Sequence, residues 1–315
     1  MTPDRAAAAA AAPAPLRAGS MQAWAVAVRP HSLLVALSPV LVGAALGYAR
    51  TGAMDPVAAL LVLGSALLMQ IVTNLQNDVG YTVRGGDSAG TRTGLPRATA
   101  NGWLSVRRVR AAIGVAALVA TAMGLALVAY RGWPVLVVGA ASLLAALAYM
   151  GGPRPIAYTP FGELTVFVFF GLVAVMGTDW VLTGSVGAAT APVSAAIGCL
   201  AAAALAVNNH RDAAHDHLVG RQTFAVVFGE GRSRALFTAL VLMPFALLPV
   251  MGLLAWAPTL LLPLLLLPRA WQLRRDFVHC GPGTAFNAVL FRSFQLELWF
   301  AALLSAGAVG ARVLW

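Results

Sequence analysis

From Ala235 to Pro268 the chain carries no charged residue, and no other feature limits its possible folds so strongly. A helix crossing the ~30 Å hydrocarbon layer of a bilayer uses about 20 apolar residues, so this stretch is too long for one crossing and must fold back. Pro258, next to Ala257, marks the turn, and Arg269, Arg274 and Arg275 let the returning helix snorkel to an interface. Shorter uncharged stretches recur along the rest of the chain. Hydrophobic residues make up 60% of the 315 and charged residues 10%, with a mean hydropathy of +0.81, whereas soluble domains carry roughly 25% charged residues. The expected architecture is all-α, a polytopic membrane helical bundle with about nine transmembrane helices. They are placed near 31–49, 56–76, 109–130, 133–150, 161–181, 188–209, 235–254, 257–272 and 292–313. Residues 1–20, rich in Ala and Pro, read as a disordered tail, and 21–315 as the membrane domain.

The net charge of +10 is not a nucleic-acid signature, because the basic residues are scattered between apolar spans without an aromatic-basic patch. It reports topology instead. With the N-terminus in the cytoplasm, the opposite face carries Arg50, Arg131 and Arg312, leaving 18 of the 21 arginines inside. A multi-pass protein of a bacterial inner membrane is expected, its polar loops on the cytoplasmic side. Cys199 lies within an expected span and Cys280 in a loop; two cysteines cannot form a zinc quartet.

Polarity is concentrated in two places. The second and richer, Asn208 to Gly229, reads NNHRDAAHDHLVGRQTFAVVFG. If the preceding helix continues inward, Asn208, Asp212 and Asp216 stack one turn apart on one face, with Cβ atoms about 6 Å apart. Two carboxylates so close repel unless a cation sits between them, and hard oxygen donors at that spacing suit Mg²⁺, which bridges carboxylates to substrate phosphates. The first, Asn74 to Ala98, repeats the N-x-x-x-D spacing at Asn74 and Asp78 and adds Asp87. Each is followed by an Arg- and Gly-containing segment, so two similar halves of a bundle would bring two acidic motifs face to face. Asp78, Asp87, Asp212 and Asp216 are then the candidate metal ligands and catalytic acids, with Asn74 and Asn208. Arg92, Arg97, Arg211 and Arg221 are candidates for the phosphate oxygens. The matching substrate is a diphosphate with an apolar tail: its departure leaves an allylic cation, which Tyr149, Tyr158, Phe167, Phe169 or Phe170 could shelter and an electron-rich aromatic ring could attack.

These residues resemble a known family. Trp24 with Arg29-Pro30 and Pro39, the NLQND and RTGLPR segments, YMGGPRPIAYTPFGELTVFVFFG (Tyr149 to Gly171) and NNHRDAAHDHLVGRQT are similar to the UbiA superfamily of intramembrane prenyltransferases. They are closest to the branch that prenylates 1,4-dihydroxy-2-naphthoate in menaquinone synthesis. The resemblance covers nearly the whole chain after Ala23. It implies a nine-helix bundle, Mg²⁺ dependence, a polyprenyl diphosphate donor, and decarboxylation as the chain joins the naphthoate ring. It also implies Asn77 at the diphosphate and Arg29 at the prenyl or aromatic pocket. One position departs from the family: Tyr81 stands where the first motif usually has a further aspartate. That leaves 4-hydroxybenzoate, homogentisate or another dihydroxynaphthoate as alternative acceptors. A secondary transporter would place its polar site near the bilayer midplane, and clustering at one face favours the enzyme. A non-catalytic isoprenoid-binding relative is the third reading. His210, His215 and His217 invite a transition-metal reading beside that of polar residues on a loop face, Glu163 is expected at a helix N-terminus in either a dipole role or an active-site role, and Asp55 and Asp179 are expected at the outer interface.

Overall fold

A computed structural model describes residues 16–86 and 93–314. Among them the regular structure is helical: α1 Met21–Val28, α2 Leu34–Thr51, α3 Pro56–Val83, α4 Val106–Arg131, α5 Pro134–Met150, α6 Gly162–Thr183, α7 Thr190–Arg211, α8 Ala213–Leu218, α9 Phe224–Ala255, α10 Leu267–His279 and α11 Phe286–Leu314. Seven of these are long and apolar enough to cross a membrane, and α5 is a shorter apolar helix of 17 residues. The expected eighth span, 257–272, is a composite, a 3₁₀ segment Pro258–Leu266 running into α10. The chain is thus a polytopic helical membrane protein, and nine spans is an approximate count.

Several boundaries differ from expectation for identifiable reasons. α3 runs about two turns past 76, so Asn74, Asn77 and Asp78 are helical residues and not loop residues. α9 begins at Phe224 and is two helices joined at Gly229, whose φ of 80° suits glycine. Leu16–Ser20, assigned to a tail, pack instead: Leu16 joins an apolar cluster, the Gly19 amide donates to the Trp103 carbonyl at 2.8 Å, and Ser20 caps α1. Residues 1–15 lie outside the described residues.

α7 is the central helix, buried along most of its length and packed against α6, α9 and α11. Its approach to α6 depends on glycine. A Cβ on Gly171 would stand 2.6 Å from both the Gly198 Cα and the Ser194 carbonyl, and one on Gly198 2.7 Å from the Phe167 carbonyl. Small residues let membrane helices gain contact where no hydrophobic driving force separates helix from lipid. At this crossing α6 turns as a π-helix, Phe167–Met176, a widening that moves side chains round the axis and is common at functional sites.

The end opposite the acidic motifs is clamped. Asp179, expected at an interface, is fully buried and accepts from Arg50 at 2.7 Å, Thr190 Oγ1 at 2.7 Å and the Gly187 amide at 3.0 Å. Asp55 caps α3 by accepting from the Val57 and Ala58 amides. Cys199 and Cys280 are both free thiols.

Candidate active site

A cavity of about 720 Å³ lies between α2, α3, α5, α6, α7 and α11. Its far end is apolar, reaching Leu127, Val135 and Val181, and its wall follows α6 from Thr165 to Val181. That is roughly 20 Å at helical rise. Its polar end is built from both motifs, since Asn74 and Asn77 of α3 face Asn208 and Arg211 of α7, with Arg29 and Tyr149 beside them.

Each of these groups is held by the fold. Arg29 ends α1 in the left-handed region (φ 55°, ψ 70°), its amide bonded to the Ala25 carbonyl. A non-glycine residue held there stores strain of the sort found at ligand clamps. Asn74 donates to the Val28 carbonyl at 2.7 Å and to Ser32 Oγ at 2.8 Å, and accepts from Gln70 Nε2 at 3.2 Å. This ties α3 to the hairpin that carries Arg29. Arg211 lies bidentate on Asp212, both contacts 2.8 Å, and its third nitrogen donates to Asn287 Oδ1 at 2.7 Å. Backbone bonds from the Asp212 amide to the Asn208 carbonyl and from the Asp216 amide to the Asp212 carbonyl carry the three-residue stripe through the α7–α8 junction.

The aspartates stand behind this wall and not in it. Asp78 is fully buried and turned toward residues 95–99: its carboxylate accepts from the Ala98 amide, the Thr99 amide and Thr99 Oγ1, the two amide contacts 2.9 Å. Leu95 and Pro96 of that segment line the cavity mouth. Asp78 therefore fixes a piece of the mouth. The expectation that it faces Asp212 across a shared hollow is corrected; the motifs meet through Asn74, Asn77, Asn208 and Arg211.

Beneath the mouth the motifs meet a second time, around Tyr81. Its ring lies 3.3 Å from the Arg97 guanidinium carbon and its hydroxyl donates to Asp216 Oδ1 at 3.1 Å. Arg221 bonds the same hydroxyl, pairs with Asp216 at 2.6 Å and donates to the Ala157 carbonyl. Burial pushes Arg221 down from its ordinary value to about 9, so at neutral pH it remains the cationic partner of Asp216. His215 Nε2 bonds the Gly86 carbonyl at 2.7 Å. Arg97 and Arg221 thus reach the motif junction without lining the cavity.

Other expected residues fall elsewhere. Tyr158 sits outside the cavity, its ring 5.8 Å from Arg221. Phe167 packs on Gly198 at the π-helical crossing, while Phe169 and Phe170, with Phe291 and Phe294 of α11, line the cavity together with Tyr149 and Trp180. His210 is a packing residue against Phe277 and Phe286, bonded to Ser233, and His217 is exposed. Asp87 and Arg92 lie outside the described residues. Glu163 is buried and accepts from Asn209 Nδ2 at 2.9 Å. Gln70, Ser32 and Asn209, the partner of Glu163, were missed; Gln70 lies one turn before Asn74 within the expected span 56–76, and that spacing could have found it.

Among the described residues no three His, Cys, Asp or Glu side chains gather as a ready-made metal cage. The donor chemistry nonetheless fits a hard cation at Asp212 and Asp216, whose carboxylates meet side chains, Arg211 on one and Arg221 with Tyr81 on the other. It does not fit at Asp78, whose oxygens are engaged by backbone amides.

Comparison with known proteins bears on the family and the fold. Residues 36–294 match the UbiA prenyltransferase family. The chain is 35% identical over 229 residues, 70% of its length and 73% of the relative's, to a 1,4-dihydroxy-2-naphthoate octaprenyltransferase of Escherichia coli. It is 30% identical to the enzyme of that name from Bacillus subtilis, over 89% of both chains. A solved UbiA homolog from Archaeoglobus fulgidus bound to DMAPP and Mg²⁺ superposes with a TM-score of 0.65 at 17% identity, covering 91% of this chain and 99% of its own.

Proposed function

Since the chain belongs to the UbiA prenyltransferase family, we propose that it transfers a polyprenyl group from polyprenyl diphosphate to 1,4-dihydroxy-2-naphthoate. The observation that carries this reading is the polarity of one continuous cavity: two arginines and three asparagines at the mouth, rings and aliphatic side chains beyond. A diphosphate fits the first region and an isoprenoid tail the second. The names of the Escherichia coli and Bacillus subtilis relatives support the naphthoate as acceptor.

Arg29 and Arg211 receive the diphosphate oxygens, as bidentate guanidinium–phosphate contacts are strong and directional. Asn77 and Asn208 add neutral donors from opposite walls. Asp212 and Asp216 would hold Mg²⁺, which when bound screens the diphosphate and stabilises it as a leaving group. Asp78 positions the mouth segment. The C–O bond to diphosphate breaks with its electron pair on oxygen, and the allylic carbon is left facing Tyr149, Phe169 and Phe170, whose faces attract cations. The naphthoate ring carbon bearing the carboxylate bonds to it; carbon dioxide leaves, and the released pair restores the aromatic ring. The dry apolar walls keep water from the cation. Placing the mouth at the cytoplasmic face of a bacterial inner membrane follows the arginine asymmetry.

Membranes from a host lacking its own enzyme, given a polyprenyl diphosphate and 1,4-dihydroxy-2-naphthoate, are expected to yield prenylated naphthoquinol by mass spectrometry, with release of carbon dioxide and a requirement for Mg²⁺. Arg211→Ala is expected to abolish it. Equal product from Arg211→Ala, or product from 4-hydroxybenzoate in its place, contradicts the assignment.

A further inference from the structure

Away from the active site, α9 and α10 leave an open groove of about 640 Å³ between them. Its α9 wall is a stripe of Ala235, Ala239, Leu242 and Ala246, the three alanines exposed on the outside of the bundle. Arg234 and Arg274 close it at the end that bears the acidic motifs. The Nε–H of each arginine is buried and meets no acceptor among the described residues. Arg234 spends another nitrogen on Glu230 at 2.5 Å, and Arg274 lies 5.1 Å from the Trp271 ring. Two guanidiniums and one carboxylate leave a net positive charge, with donors still to be satisfied, at the head of an apolar trough that opens toward lipid.

We propose that this groove binds an anionic phospholipid, its phosphate between Arg234 and Arg274 and one acyl chain along the alanine stripe. The length of the stripe matches one acyl chain. From Arg234 to Ala246 is about 18 Å at helical rise, close to the ~15 Å that half a hydrocarbon core provides. The charge selects the headgroup, since basic pockets between membrane helices bind anionic lipid phosphates and buried donors require acceptors.

Native mass spectrometry of the full-length protein in detergent tests this with phosphatidylglycerol and phosphatidylethanolamine of identical acyl chains. The expected result is a phosphatidylglycerol adduct that exceeds the phosphatidylethanolamine one and falls about tenfold in Arg234→Gln/Arg274→Gln, for the loss of charge-assisted contacts. Ala239→Trp, which fills the trough and keeps both arginines, is expected to lose the adduct equally, whereas exposed Arg275→Gln keeps it. Prenyl transfer in lipid-free detergent reports that each variant is folded. Equal binding of the two lipids, or an undiminished adduct in the double variant, overturns the proposal. So does displacement of the lipid by inorganic phosphate alone, which marks a free-anion site, or a dimer that Ala239→Trp dissociates, which marks a contact between two copies.

Discussion

Tyr81 stands at the point where the two motifs touch, where the family resemblance leads one to expect an aspartate, and its surroundings explain how the chain accommodates it. An aspartate there would lie between Arg97 and Arg221, which now stack on and bond to the phenol. Tyr81→Asp is therefore expected to keep or raise prenyl transfer in membranes, and complete loss would show that the phenol has a task of its own. Asp78 has the reverse character. Asp78→Asn leaves one acceptor oxygen for three donors, a loss of about 1–3 kcal/mol for a buried unmatched group. Its apparent melting temperature and its turnover should both fall; an unchanged melting temperature would refute the mouth-fixing role. The sequence made the motif residues visible through the repeated N-x-x-x-D spacing but not their directions. Asn74 and Asp78 share a helical face, yet Asn74 reaches the cavity and Asp78 the segment beyond it, a division that depends on where residues 95–99 come to lie.

At the scale of elements, the apolar spans were legible because bilayer thickness dictates their length. Their ends were less so. Asn74–Asp78 looked like loop because polar residues seldom continue a span, and here the cavity supplies their partners. The π-helical turn of α6 left no mark in a run of Phe and Val, which is why Phe167 was placed in the cavity and Phe291 and Phe294 were not. That turn coincides with the Gly171–Gly198 crossing. Gly198→Leu is expected to force α6 and α7 apart, overpacking of this kind costing about 1–3 kcal/mol or more. Thermal unfolding of the purified protein should show a lower midpoint; a midpoint equal to wild type would mean that the crossing is looser than the 2.6–2.7 Å approaches imply.

For the whole molecule, one cavity joins a charged mouth to an apolar far end, which on the proposed function would receive the diphosphate head and the prenyl tail. A Cβ added at Gly177, near the far end, meets no atom within 4 Å. Gly177→Phe should therefore fold normally while shifting product toward shorter prenyl chains, read by mass spectrometry of competing donors; an unchanged length distribution would mean that the tail leaves the cavity before reaching α6's distal turns. The central claim remains that both motifs grip one diphosphate through the residues on the cavity wall. Its most direct measurement is a cryo-electron microscopy structure of the full chain with Mg²⁺ and a non-hydrolysable polyprenyl thiolodiphosphate. Phosphate density within hydrogen-bond reach of both Arg29 and Arg211, flanked by Asn77 and Asn208, is the expected result. Density seated instead between Arg97 and Arg221, or outside the mouth, would contradict it.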